Sequence, residues 1–203
     1  MEIAGRPIEI LLVEDNPADV RLTVEILKDL EAIREFYALQ CRTRKKHGLP
    51  PQPFRFFLKI HEHILSREKG IVVLARQGRR TVAGAVFFHV GEQAIFKYGA
   101  SDEAQQGLRG NDLVMWAGIK YYAARGFRTL HLGRTSLMNE GLRRFKLAWG
   151  AREHIIEYMR YDLKHRAFVA GQDDAFGWYN RVFRLLPIGV SRLIGALVYR
   201  HAA

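Results

Sequence analysis

Three short stretches of this chain carry side chains whose types and spacing can do chemistry. The first is QQGLRGND (105–112), where Gly107, Arg109 and Gly110 lead into a run with helical spacing. Backbone N–H groups at a helix start, with a guanidinium beside them, can hold a phosphate. An ordinary glycine loop is the plain alternative. The second is LGRTSLMNEGLRRFKLAWGA (132–151), where Arg134 follows a strand and Asn139 stands at a helix start. Ligands gather at the C-terminal ends of strands in α/β sheets; a loop arginine paired with a surface acid is the alternative. The third is FKYGASD (96–102), with Lys97 and Tyr98 adjacent on a strand. Alternation sends them to opposite faces, so one of them can face a cleft. A lysine guarding a strand edge is the alternative.

Lys146 lies within the second stretch. With the helix 141–149 advancing ~100° per residue and Leu142 at zero, Phe145 falls near ~300° and Trp149 near ~340°. Lys146 falls near ~40°, at the border of that apolar face, with Arg143 near ~100° and Arg144 near ~200°, facing water. The Lys146 stem therefore packs. Its ammonium either snorkels to solvent or points beside Arg134, where it would stabilise a phosphate or a developing oxyanion.

Other candidates are weaker. His61-Glu62-His63 places its histidines at i and i+2, which do not share a helix face, so no metal site is expected. Cys41 is the only cysteine and reads as a packed thiol; it excludes a disulfide scaffold and suits a reducing cytoplasm. Glu14 and Asp15 follow the apolar run IEILLV. Without a third carboxylate on a later strand they make a poor magnesium site.

These residues need elements to position them. Residues 8–13 read as a strand, and 17–30 as a helix capped by Asn16, with Val20, Val24, Leu27 and Leu30 at helical spacing. A basic helix follows over 36–46, then a Gly-Pro-Pro break and a helix over about 53–66. IVVLARQ (71–77), TVAGAVFFHV (81–90) and AIFKYGAS (94–101), joined by Gly-containing turns, predict a three-strand antiparallel meander. Gly84 inside it marks a bulge or a close backbone approach. Asn111 or Asp112 caps a well-buried helix ending at Gly126; 127–134 is a strand, 139–150 a short helix, and 154–163 alternates as a strand. The fold class is α/β, with a mixed, mostly antiparallel sheet flanked by helices. In the tail, residues 180–201 interleave apolar clusters with Arg181, Arg184, Arg192 and Arg200, broken at Pro187. This predicts two short amphipathic helices that lie on an anionic membrane surface or pack on the domain.

The chain has 203 residues, 48% of them hydrophobic, enough for one packed domain and against global disorder. No apolar run reaches the ~20 residues of a membrane span. Net charge is +11, unevenly spread. Residues 1–31 hold eight acids and three bases, whereas the rest holds 29 bases and 13 acids. The basic part favours polyanions: phosphate-bearing substrates, RNA or anionic membranes.

RPIEILLVEDNPADVRLTVEILKDL resembles the start of a response-regulator receiver domain, over about 30 residues; neither the phosphoacceptor aspartate nor the lysine of that family is found. RTRKKHGLPPQPFRFF (42–57), FKYGASD, LGRTSLMNEGLRRFKLAWGA and RLLPIGVSRLIGALVYRH (184–201) resemble the GNAT fold as it occurs in FemAB-type transferases. The likeness is greatest to FemAB-like proteins of exopolysaccharide and PEP-CTERM export systems. This divides the chain into a truncated receiver-like segment (1–31), a GNAT-like domain (36–165) and a helical tail (166–203). Residues 36–203 are then expected to keep their cooperative fold without 1–31.

The resemblance implies an acyl- or aminoacyltransferase acting on an amine of a cell-envelope or polysaccharide precursor. It implies Lys146 and Arg134 as catalytic, and Lys97, Tyr98, Arg109, Gly110, Asn139 and Arg143 as substrate-binding. The loop 105–112 has the position and the glycines of the Q/R-x-x-G-x-G/A signature of acetyl-coenzyme A binding, but not its spacing. The donor is thus acyl-coenzyme A or an aminoacyl-tRNA, with no metal. FemAB proteins carry two GNAT-like halves and only the second matches here, so a homodimer or a partner half-domain would complete the cleft. A cytoplasmic location follows, membrane-peripheral if 180–201 binds lipid. The alternatives are a non-catalytic basic binding module and a degenerate phosphorelay receiver fusion.

Overall fold

A computed structural model describes residues 8–10, 22–169 and 179–199. The chain forms two compact units, Met1–His131 with Tyr179–Ala203, and Leu132–Trp178. The first is built on a six-stranded sheet of spatial order β1 to β6: β1 (Ile8–Ile10), β2 (Leu22–Leu27), β3 (Gly70–Gln77), β4 (Arg80–Val90), β5 (Gln93–Ser101) and β6 (Thr129–His131). All neighbours are antiparallel except β5 and β6. The mixed sheet and the meander expected over 71–101 are present.

The N-terminal segment differs from expectation. Residues 22–27 are a strand, not the second half of a helix. Leu22 and Val24 are buried on one face while Thr23 and Glu25 are only partly so, a period of two that β-branched Thr, Val and Ile favour. Six residues of β2 pair with β3. Arg76 of β3 bonds Glu25 at 3.1 Å and, bidentately, Glu35 at 2.5 and 2.9 Å. The segment is therefore a working strand of the main sheet, and the receiver-like β-α reading does not describe it. Glu14, Asp15 and the expected cap Asn16 lie outside the described residues.

Helices cover both faces of the sheet. α1 (Leu30–Lys46) begins six residues earlier than expected, because the Asp29 carboxylate accepts from Ala32 N at 2.8 Å and caps it. With α2 (Phe54–Ile60), extended by a π turn at His61–Leu65, it buries Ile33, Phe36, Phe57 and Leu65 against Val72, Leu74 and Val86. α3 (Gly110–Ala123) covers the other face through Phe87 and Tyr122, rings 5.8 Å apart. Covered on both sides, Ile71–Ala75 are wholly buried, which explains their unbroken apolar run. Gly84 is a close approach: a Cβ there would sit 3.0 Å from the Phe36 ring. The bulges lie elsewhere, at Val82 and Lys97.

The tail forms α5 (Tyr179–Leu185) and α6 (Ile188–Val198), broken at Pro187 as expected. Both pack against α1. Asn180 Nδ2 donates to His47 O at 3.0 Å and Arg44 to Tyr199 Oη at 3.0 Å. Gly195 is needed here, since a Cβ would sit 2.0 Å from Pro51 O. Among the described residues no helix is long and apolar enough to cross a membrane.

The second unit contains α4 (Glu140–Ala148) and a hairpin of β7 (Arg160–Asp162) with β8 (Ala167–Val169). The strand expected over 154–163 is confined to 160–162. Residues 151–159 form no regular structure, and their backbone finds no strand partner among the described residues.

Candidate active site

β5 delivers the chain to α3 through a tight turn. Asp102 follows the strand; its N–H donates to Val82 O at 2.8 Å, and its carboxylate accepts from Ala104 N at 3.2 Å. That carboxylate is buried and takes Arg80 at 2.6 Å and Arg42 at 3.1 Å. The Arg80 hydrogen bond above all holds the Asp102 carboxyl below its usual range. Two cations on one anion leave the turn net positive. A 3-10 turn (Glu103–Leu108) leads to Arg109, which caps α3 in the left-handed region, φ +51°. A non-glycine residue there is uncommon, and such strain gathers at functional sites.

Arg109, not Asn111 or Asp112, thus occupies the cap. Its Nε donates to Asp112 at 2.8 Å, and Asn111 Nδ2 donates to Ser101 Oγ at 3.1 Å. Gly110 is buried, and a Cβ on it would meet the Ala83 methyl at 2.9 Å. Its lack of a side chain lets α3 start against β4. Helix geometry leaves the Gly110 and Asn111 amides without an intrahelical acceptor, an anion-binding arrangement, while Asp112 N donates to Arg109 O at 3.0 Å.

Lys97 is the extra residue of a bulge: Phe96 pairs with Phe87 and Tyr98 with Val86, leaving Lys97 unopposed. The insertion breaks simple alternation. Phe96 packs on Phe87, on the α3 face, whereas Tyr98 packs on Phe57 and Phe88, on the α2 face. In a regular strand residues two apart share a face. Tyr98 is half-buried, its hydroxyl pKa raised by that burial. Lys97 is exposed, its ammonium 5.9 Å from the Tyr98 ring centre. β6 pairs with β5 only over Gln93–Ile95. From Phe96 to Ser101 that edge of β5 has no strand beside it among the described residues. A cavity of about 730 Å³ lies at the opposite end of β5, against Val90, Gln93, Arg128 and His131, remote from the α3 N-terminus.

The second unit is organised around Lys146. Its Nζ donates to Thr135 Oγ1 at 2.7 Å, Gly133 O at 2.9 Å and Arg134 O at 3.1 Å. All three ammonium hydrogens are used. At 8% exposure Lys146 is the sole buried residue among those described in 132–169, and burial lowers its pKa. The ammonium meets the Arg134 backbone, while the Arg134 guanidinium lies 5.0 Å from the Tyr158 ring centre. Asn139 caps α4, accepting from Leu142 N at 3.1 Å. Arg143 makes a bidentate pair with Glu153 at 2.6 and 2.7 Å, which depresses the Glu153 pKa.

The predicted residues thus fall into two groups. Lys97, Tyr98, Arg109 and Gly110 belong to the sheet-based unit; Arg134, Asn139, Arg143 and Lys146 belong to the other. Sequence reasoning passed over Asp102, Arg42 and Arg80. An aspartate directly after a strand and before a helical turn was the available signal for Asp102; its arginine partners are 60 and 22 residues away and left none.

Comparison with known proteins follows from this geometry. The family model described as an acetyltransferase (GNAT) domain matches residues 14–154. No curated protein matches the sequence. Among solved structures, an aminoglycoside acetyltransferase, meta-AAC0020, from an uncultured soil metagenomic sample, in complex with sisomicin, is similar with TM-score 0.56 and 16% identity, over 70% of this chain and 96% of that one. Aminoglycoside N-acetyltransferase AAC(6')-Iy in complex with CoA gives TM-score 0.56 and 14% identity, over 71% and 98%. The ribosomal-protein-alanine N-acetyltransferase of Brucella melitensis biovar Abortus 2308 gives 0.53 and 15%, over 70% and 99%. At these identities the likeness is one of fold. With the family match spanning β2 to the end of α4, the chain belongs to the GNAT acetyltransferase family.

Proposed function

We propose that this protein is an N-acyltransferase that takes an acyl-coenzyme A donor and transfers the acyl group to a primary amine on a cell-envelope or polysaccharide precursor. The observation that carries the donor side is the parting of β5 from β6 after Ile95, with the bulge at Lys97 and the α3 N-terminus at the far end of the same strand. An unpaired strand edge accepts an extended amide-bearing chain as it would accept another strand, which suits the pantetheine arm. The Gly110 and Asn111 amides at the start of α3, with the positive turn around Asp102, suit its pyrophosphate. The amine attacks the thioester carbonyl; the C–N bond forms, the C–S bond breaks, and the departing thiolate takes up the proton that the amine loses. Main-chain N–H groups that a bulge leaves unpaired are suited to the developing oxyanion. No covalent enzyme intermediate is required.

The acceptor class rests on the FemAB-like pattern GRT…N-GL-RFK..WG and on the basic charge of residues 32–203, which favours a polyanionic precursor. Lys146 enters as a positioning residue that holds backbone 133–135. Lys146→Met is expected to lower kcat by ~10²-fold with little change in KM, and Lys146→Arg to recover only part of the loss.

Calorimetric titration of the full chain with acetyl-coenzyme A tests the donor, followed by thiol release with a panel of amine acceptors. Saturable binding weakened by Arg109→Ala, and thiol release that depends on the acceptor, are the expected results. Absence of coenzyme A binding overturns the donor assignment. Tight, salt-sensitive RNA binding without turnover supports the basic binding module instead.

A further inference from the structure

The tail helices present two unlike faces. Inward, Asn180, Ser191 and Gly195 are buried against α1 and the 47–51 loop. Outward, Val182, Leu185, Val190, Leu193 and Leu197 stand in solvent, Leu185 at 85% and Leu193 at 64% exposure. On α6, Val190, Leu193 and Leu197 fall within ~60° of one another and roughly opposite Ser191 and Gly195. They therefore form one aliphatic stripe that the fold leaves uncovered among the described residues. Arg181 and Arg184 are exposed on α5, the helix that precedes it. From Ala175 to Ala203 the sequence contains four arginines and not one aspartate or glutamate.

We propose that the outer face of α5 and α6 docks this protein on an anionic lipid bilayer. Charge and shape choose this occupant. An aliphatic stripe accompanied by exposed arginines, with acids absent over the whole segment, matches a surface of acyl chains beneath negative headgroups. A second copy of the chain would bring Arg181 and Arg184 against their own kind. Eleven residues of α6 reach far too short a distance to span a bilayer, so the helices lie in the interface plane while the inner face keeps its contacts with α1. The proposal stands apart from the transferase reading; it concerns a different surface and is tested without turnover.

Co-sedimentation of the full chain with vesicles of phosphatidylcholine mixed with phosphatidylglycerol, against pure phosphatidylcholine, is the test. The chain is expected to pellet with the anionic vesicles, to be released by salt, and to stay in solution with the neutral ones. The double change Leu193→Asp with Leu197→Asp is expected to abolish pelleting. Arg181→Gln with Arg184→Gln is expected to weaken it roughly tenfold. Leu193 and Leu197 face outward and both arginines are exposed, so far-ultraviolet dichroism and the unfolding midpoint should not move; Leu185→Asp on α5 serves if the α6 double variant fails to fold. The proposal is overturned if the wild type ignores anionic vesicles, if the folded α6 or α5 variant binds them as well as the wild type does, or if the wild type sediments as a dimer that Leu193→Asp converts to monomer.

Discussion

The sheet-based unit and residues 132–178 draw on a similar supply of apolar side chains and use it in opposite ways. In the first, Phe36, Phe57, Phe87 and Leu74 are sealed between helices and sheet. In the second, Leu137, Ile155, Met159, Leu163 and Phe168 stand largely in solvent, Ile155 at 90% exposure, and the buried residue is a lysine. Apolar residues stabilise only where their period matches an element that has a partner face. The long β3–β4–β5 meander supplies that face; a nine-residue helix and a hairpin of two three-residue strands do not. Order in the second unit comes from polar closure: three bonds from Lys146, one cap from Asn139 and one bidentate pair between Arg143 and Glu153.

The contrast implies graded responses to mutation. The largest is expected from deleting residues 1–28. This removes β2 with the buried Leu22 and Val24 and leaves the β3 edge open, so the remaining chain should lose its cooperative thermal transition. A retained transition would show that β2 is dispensable to the sheet. Next is Phe57→Ala, which empties a wholly buried site among Phe36, Tyr37 and Tyr98. It should cost about 3–5 kcal/mol in denaturant unfolding. Lys146→Met should cost about 1–3 kcal/mol, but locally: faster amide exchange and proteolysis over 132–150, with the midpoint of the main transition unmoved. A shift of that midpoint would show that the two units unfold together. Smallest is Ile155→Ser, exposed and without regular structure around it, expected within about 0.5 kcal/mol of wild type; a larger loss would reveal a partner surface over 155–159.

Much of the candidate site was legible as position along the chain. The strand–turn–helix order around 94–125 and the helix capped at Asn139 follow from local periodicity and capping chemistry, whereas periodicity left the Lys146 ammonium open between solvent and Arg134. The bulge at Lys97 was not legible, because nothing in FKYG distinguishes a regular strand from one that must shift register against Phe87 and Val86. The strand at 22–27 was misread as a helix for a related reason. Val20, Val24 and Leu27 satisfy a helical period while Leu22, Val24 and Ile26 satisfy a strand, and the choice is made by β3, some fifty residues later.

The sequence by itself determined the α/β class, the central meander, the short helix begun at Asn139, and a basic tail with two amphipathic segments. Those features rest on periods of two and 3.6 and on caps that act within a few residues. Only the tertiary structure decided that the N-terminal strand joins the main sheet, that Asp102 gathers arginines from α1 and β4, that Lys146 spends its charge on the backbone of its own loop, and which face of the tail is left for solvent. Each of those depends on groups that meet only after distant segments have packed, and no local spacing encodes such a meeting.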